Sequence, residues 1–433
     1  MSSYRYDDKK RIVVECDYDL DLLDNVTTYY KYNFVGDLTN KIIVLNSSDL
    51  DVHYASEYSY SYDNWGMPVS ARHRFNNDSW TILYENRYDN VARLTHKNIR
   101  PRKCTNKGCN IDYQYNVRDW LTAIKSPLFT QSLYYNSNNT GTAPRWNGSP
   151  SAMTFTSVDN DLSLDSLSVG YGYDGFDRLI SVESKSPTDV NSVFSEGFSY
   201  DRNGNPVIIS RGKVNANPVQ YLSLDYSGNQ IASIGESKPA DGLYPDIPSI
   251  DKGDYSSEWT YDANGNRTSD PARGITSITY DYYNQPVKFT FSDGSTLTNY
   301  YRSDGTYYGR NESEAIISTV SSGSTRPKGY KNSTYINKGD FVFLNTIPSR
   351  LYIEGGYVDI DFDHSKRTYN YYIHDNQGSV RAVVDENGIL VQATDYSAYG
   401  VPSSGFGSTT SDKHLHLSLE WQPMKGIYGY YNN

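Results

Sequence analysis

Any chemistry in this 433-residue chain would have to come from its carboxylates, histidines and cysteines. A glycosidase needs two carboxylates facing across a sugar site. The chain has 51 acidic residues, but those that recur at fixed spacing sit where a turn already accounts for them. The seven histidines, His53, His73, His96, His364, His374, His414 and His416, are scattered. His414 and His416 would share one strand face, yet no third ligand lies near them. Cys104 and Cys109 have no second Cys or His pair close by, which argues against zinc. They would pair as a loop disulfide in an exported chain; free loop thiols are the preferred reading, and Cys16 stands alone. EF-hand spacing is absent, as are a nucleophile elbow, a phosphate loop and a dinucleotide fingerprint. The sequence therefore predicts no catalytic residue, no cofactor and no metal, and a non-enzymatic protein.

What recurs is a turn. In Tyr200-Asp201-Arg202-Asn203-Gly204, Asp201 occupies the first position of a type I turn and Gly204 the fourth. The Asp side chain can accept from the amide two residues on. Gly204 adopts positive φ without a Cβ clash, giving a three-residue hairpin loop with a bulge. Tyr62-Asp63 leads likewise to Gly66, Tyr261-Asp262 to Gly265 and Tyr32-Asn33 to Gly36. Tyr173-Asp174 leads to Asp177, Tyr115-Asn116 to Asp119 and Tyr280-Asp281 to Asn284, where Asp and Asn best tolerate a left-handed backbone. Tyr226 is followed by Gly228-Asn229. Tyr88-Asp89 leads to Ala92 and is read as the weakest copy. Tyr301 to Gly305 reads as a shortened copy, and residues 1–25 hold no clean one. Pro286, just past its turn, requires an edge or bulge position.

Successive motif tyrosines lie 26 or 27 residues apart within 62–115 and within 173–226. A near-constant period of that size marks a repeat array. Hydrophobic residues make up 37% of the chain, a share that includes its 43 tyrosines. Disorder is rejected, because disordered chains are poor in aromatics. Tyr is a strong strand former with an apolar ring and a polar end. Sheets wetted on both faces follow, as does an all-β array of hairpins curving into a spiralling ribbon or partial hollow shell. Four blocks are expected: 1–135, a loop-rich seam at 136–167, a second block at 168–340 and a distinct segment at 341–433. Residues 235–257 look like an inserted loop, and 311–340 show no strand period.

The formal net charge of −11 argues against nucleic acid and anionic membranes as partners. The basic knot of Arg100, Arg102, Lys103 and Lys107 reads as a solvated loop. No signal peptide and no apolar run of membrane-helix length is visible. Rows of tyrosine could stack on sugars, making a carbohydrate-binding or adhesion surface the alternative function. Cross-strand aromatic packing is preferred.

The Tyr-Asp-x-x-Gly-Asn copies at 200–205 and 261–266 resemble the YD repeats of Rhs proteins. The stretch from His374 through Asp375, Gly378 and Arg381, then Asp385 to Gly388 and Tyr396 to Gly400, resembles the Rhs-associated core. Residues 115–124 are similar to a segment of the Bacteroidetes versions. The resemblance implies a β-ribbon shell enclosing a C-terminal toxin or effector, in proteins that are exported or displayed at the cell surface. The family's Ala-Arg-Tyr-Tyr-Asp-Pro-like run is absent after Glu420 to Tyr431. The expected partners are therefore a downstream part of the same polypeptide or an effector, with self-association through open strand edges.

Overall fold

The computed structural model describes residues 2–19, 24–47, 52–99, 109–137, 141–158, 164–186, 194–212, 218–237, 257–271, 274–319, 325–361, 366–396, 402–403, 420–422 and 427–429. Among them the architecture is all-β: strands in long antiparallel sheets, with no α-helix. The basic knot, Cys104, His364, His414, His416, Tyr399, Gly400 and most of the 235–257 insertion lie outside the described residues.

The chain forms two compact units. The first comprises Met1–Thr130, Ile336–Ile373 and Ala382–Val391; the second comprises Gln131–Tyr335, His374–Arg381 and Gln392–Asn433. The segment set apart at 341 on sequence is thus divided between both units.

In the first unit, sequence-adjacent strands pair antiparallel, as Asp24–Tyr32 does with Leu38–Ser47 and Val52–Tyr62 does with Pro68–Phe75. Pro68–Phe75 buries Ala71, His73 and Phe75, alternate positions that the pleat sends to one face. Phe75, Leu45, Leu83, Phe341 and Leu351 are fully buried. Phe75 and Phe341, far apart in sequence, meet edge-on at 6.2 Å. Aromatic pairs in this geometry add about 0.5–1.5 kcal/mol beyond burial.

In the second unit, the hairpins Leu164–Tyr173/Leu179–Lys185, Ser195–Tyr200/Pro206–Gly212 and Pro218–Ser227/Gln230–Ser237 follow one another. Separate small cores lie in this unit, one around Leu222, Leu224 and Ile234 in the third of these hairpins and another around Ile275, Ile278, Phe291 and Leu297 on the later strands Ile275–Tyr280, Pro286–Phe291 and Thr296–Tyr301. Part of the expected seam is strand: Ala152–Val158 pairs with Leu164–Tyr173. The aperiodic reading of 311–340 is also corrected, because two of the longest strands, Tyr307–Thr319 and Thr325–Lys338, run through it. Polar residues fill most positions of both strands, so alternation of hydrophobicity is lost although the backbone is extended.

Cys16 is buried and free. Cys109 is buried and disulfide-bonded, so the free-thiol expectation fails for it.

Candidate functional site

The repeated turn is the feature the sequence singles out, and its geometry is uniform. At Asp201 the main-chain N–H donates to Asn205 O (2.9 Å), and Gly204 N donates to Asp201 O (3.2 Å). Asp201 Oδ1 accepts from Asn203 N and Asn205 N, each at 2.8 Å. Gly204 sits at φ 90°. The ladder register slips by one residue beside the tyrosine, where Tyr200 faces Pro206. This is the predicted three-residue loop with its bulge. Asp63, Asp89, Asp174, Asp262, Asp281, Asp375 and Asp385 make the same pair of backbone bonds. Pro286 is accepted at the bulge, opposite Tyr280.

Three expectations are corrected here. Ala92 lies at φ 65° and its turn is complete, with Asp89 Oδ1 accepting from Val91 N and Arg93 N. The N-terminal region also holds a full copy: Asp7 turns through Lys10 at φ 63° and accepts from Lys9 N and Arg11 N. Tyr301 begins a copy of ordinary length, in which Arg302 takes the place of Asp and Gly305 N donates to Arg302 O. A left-handed L-residue costs about 1–2 kcal/mol, partly offset by the greater unfolded entropy of Gly. Ala92→Gly is therefore expected to stabilise the chain by about 0.5–1 kcal/mol in urea unfolding; an unchanged midpoint would count against left-handed strain at this site.

The tyrosine has a role that spacing alone does not reveal. Tyr200 Oη donates to Leu179 O at 2.6 Å. Leu179 is the second residue beyond the left-handed position of the preceding turn. The same bond runs from Tyr32 to Ile12, Tyr62 to Leu38, Tyr88 to Pro68, Tyr115 to Leu94 and Tyr173 to Pro150. It continues from Tyr226 to Pro206, Tyr261 to Ile231, Tyr280 to Arg267 and Tyr396 to Val380. Each motif tyrosine thus staples its hairpin to a main-chain carbonyl upstream. Burial pushes the Tyr62, Tyr173, Tyr226 and Tyr261 phenols up, keeping them protonated donors. Tyr200→Phe keeps the ring and removes the donor, so a loss of about 1 kcal/mol is expected by chemical denaturation. A loss indistinguishable from zero would mean water replaces the hydroxyl at no cost.

The residue after the left-handed position completes a turn-to-turn ladder. Arg178 pairs with Asp174 through Nε (2.7 Å), lies 4.7 Å over the Tyr200 ring and donates to Asp201 O (3.2 Å). Arg11 and Arg93 do the same toward the turns at Asn33 and Asn116. In the other version an Asn replaces Arg: Asn205 binds Asp201 Oδ2 and Asn229, and Asn266 binds Asp262 Oδ2 and Asn284. The amide and side chain of Arg93 hold the Asp89 carboxyl below its ordinary range. The Asn205 side chain does so first for Asp201.

The segment from Asp375 builds a denser cluster in the second unit. Asp375 Oδ1 accepts from Gln377 N and Ser379 N, and its Oδ2 from Arg381 Nε at 2.9 Å. Arg381 Nη1 donates to Asp395 Oδ1 at 2.8 Å. The guanidinium lies 5.0 Å from the Tyr396 ring and 5.3 Å from the Phe155 ring. All three ionic residues are under 9% exposed. Burial opposes the Arg381 charge, but Asp375 and Asp395 outweigh it and hold its pKa above the ordinary value. Gln131 contributes from another strand, with Oε1 accepting from Asn376 N and Nε2 donating to Asn376 Oδ1, each at 3.0 Å. Sequence reasoning found Asp375 and Arg381 through the motif; Asp395, Gln131 and Phe155 carry no local signal. The cluster borders a cavity of about 160 Å³. Both carboxylates bind Arg381, Asp375 also accepts from two backbone amides, and Asp395 Oδ2 accepts from Ser157 Oγ at 3.4 Å.

In the first unit His73 is buried between two hydroxyls, Ser56 Oγ at 3.0 Å from Nε2 and Tyr369 Oη at 2.9 Å from Nδ1. Burial pulls its pKa down to about 3. No group of three or more His, Cys, Asp or Glu suited to a metal occurs among the described residues.

No protein-family model matches the sequence, and no curated protein matches it. Among solved structures, the Tc holotoxin pore of Photorhabdus luminescens is similar, with TM-score 0.65 and 12% identity over 94% of this chain. The fold is one found within a Tc toxin. The likeness covers 19% of the matched chain, so this protein spans about a fifth of its length. Identity this low makes the likeness one of fold alone. A TcdB2-TccC3-TEV crystal structure aligns over 99% of this chain and 29% of its own at 11% identity, with a TM-score of 0.32 that carries no argument.

Proposed function

We propose that the chain is a wall segment of an Rhs-type shell that works by enclosure, with a toxin or effector, or a further part of its own polypeptide, as the enclosed partner. One observation supports this most directly: the tyrosine staple recurs in both units, from Tyr32 to Tyr396, and binds each hairpin to the backbone of an earlier one. Such a device extends a sheet repeat by repeat and needs no ligand or catalytic group. The fold likeness to part of a Tc holotoxin points the same way. The role is structural, and export or surface display follows from the Rhs resemblance.

The test is protease protection. The polypeptide encoded directly downstream is expressed together with the chain and, separately, alone. The reading requires the downstream part to resist digestion only when the chain is present. Equal digestion in both preparations overturns it.

A further inference from the structure

The hairpin Leu164–Tyr173/Leu179–Lys185 has two unlike faces. Leu167, Val169 and Val182 are buried beneath it, each at most 2% exposed. On the opposite face the ladder places Ser168 against Lys185, Gly170 against Glu183 and Gly172 against Ser181. Interior strand glycines weaken a sheet and mark places where a ligand or another backbone comes close. A Cβ on Gly172 would run into the Ser181 hydroxyl, which partly accounts for that glycine. Above this floor lies an open cleft of about 400 Å³, walled on one side by the segment at Thr142 and Arg145. Its size falls in the ~300–1,000 Å³ range of small-molecule sites.

The wall is fixed. Arg145 N donates to Tyr135 O at 2.7 Å, and Thr142 Oγ1 donates to Ser151 O at 2.9 Å. The Arg145 guanidinium pairs with Asp177 and lies 4.6 Å over the Tyr173 ring, so its charge is already matched. The floor differs. Ser168, Ser181, Glu183 and Lys185 all line the cleft. Their side chains make no hydrogen bond or ion pair with the described residues. Two hydroxyls, one carboxylate and one ammonium therefore line the cleft without a hydrogen-bond partner among the described residues.

We propose that this cleft binds a neutral saccharide. Glu183 and Lys185 lie two residues apart on one face and balance each other, so the site carries no net charge. Free phosphate would be drawn by one and repelled by the other. Closely spaced donors and acceptors match vicinal hydroxyls, which both give and accept hydrogen bonds. Gly170 and Gly172 add no side chain of their own to the cleft; Gly170 is buried and the Ser181 hydroxyl stands over Gly172. The site is separate from the motif tyrosines, whose hydroxyls are bonded to main-chain carbonyls, and holds whether or not the chain walls an effector.

The test is saturation-transfer NMR on the full chain with cellobiose, maltose, lactose, chitobiose and mannobiose, and with inorganic phosphate followed by phosphorus NMR. At least one disaccharide is expected to receive saturation. Gly170→Val should abolish that signal, and Glu183→Gln with Lys185→Met should weaken binding at least tenfold with the melting temperature unchanged. The exposed pair keeps the test decisive if Gly170→Val fails to fold. Absence of saturation from every disaccharide, full binding by the Glu183/Lys185 variant, or phosphate binding in place of sugar each overturns the proposal.

Discussion

Arg381→Met is expected to destabilise the second unit by about 3–5 kcal/mol, the typical cost of removing one partner from a buried ion cluster. Asp375 and Asp395 are 7% and 6% exposed, and both face the guanidinium. Without it, two carboxylates share a buried space with no counter-charge. Methionine fills much of the volume against Phe155 and Tyr396, so the loss reports charge more than cavity. The decisive comparison is the triple variant Arg381→Met, Asp375→Asn, Asp395→Asn. With the charges gone, a substantial part of the stability should return, though the amide side chain introduced in place of Asp375 would still have to cap the turn. Arg381→Lys should not rescue, because one ammonium cannot reproduce two directed contacts to separate carboxylates. Urea unfolding followed by tyrosine fluorescence reads all three. A single variant within 1 kcal/mol of the parent would show that solvent reaches the cluster freely.

Acidification is the second large effect. His73 has a folded pKa of about 3 against an unfolded value of 6.5. Its folded pKa is depressed, so its contribution is fully present above pH 6.5 and is lost as pH falls through the window from 6.5 to 3. At pH 5 the first unit should have lost about 2 kcal/mol by this route alone, rising to roughly 4–5 kcal/mol near pH 3. The physical cause is the setting: Ser56 and Tyr369 can satisfy a neutral imidazole, but the rings of Tyr58 and Tyr369 shield it and no carboxylate is bonded to it. His73→Gln should flatten the stability profile between pH 7 and pH 5, a window above the ordinary range of carboxylates. If parent and variant keep the same slope there, His73 is not the titrating group.

The turns were legible because each is written within five residues. Asp or Asn at the start and a residue tolerant of positive φ at the end specify the loop without help from tertiary structure. The copies that escaped show the limit of that rule. Lys10 and Ala92 carry no left-handed signal, yet the Asp7 and Asp89 carboxylates bond two amides apiece and hold the backbone there. The strands Tyr307–Thr319 and Thr325–Lys338 escaped for another reason, since polar residues fill most of their positions and leave no hydrophobic alternation to read. Long-range partners left no trace at all. Tyr369 lies 296 residues from His73, and Asp395 lies 14 from Arg381 with no repeat to mark it. Tyrosine was expected as a packing aromatic; that its hydroxyl is the operative atom follows from which carbonyl each ring reaches, and composition cannot express that.

The staple has a direction. In every copy the donor is the later hairpin and the acceptor the earlier one, 13 to 30 residues upstream. During synthesis from the N-terminus, a hairpin therefore emerges with its turn complete but one carbonyl waiting for its successor. A cut at any junction is asymmetric: the upstream piece keeps an unmet acceptor fixed in its backbone, while the downstream piece keeps only a side-chain hydroxyl that can turn to water. Each repeat thus supplies the hydroxyl that satisfies a carbonyl of an earlier one.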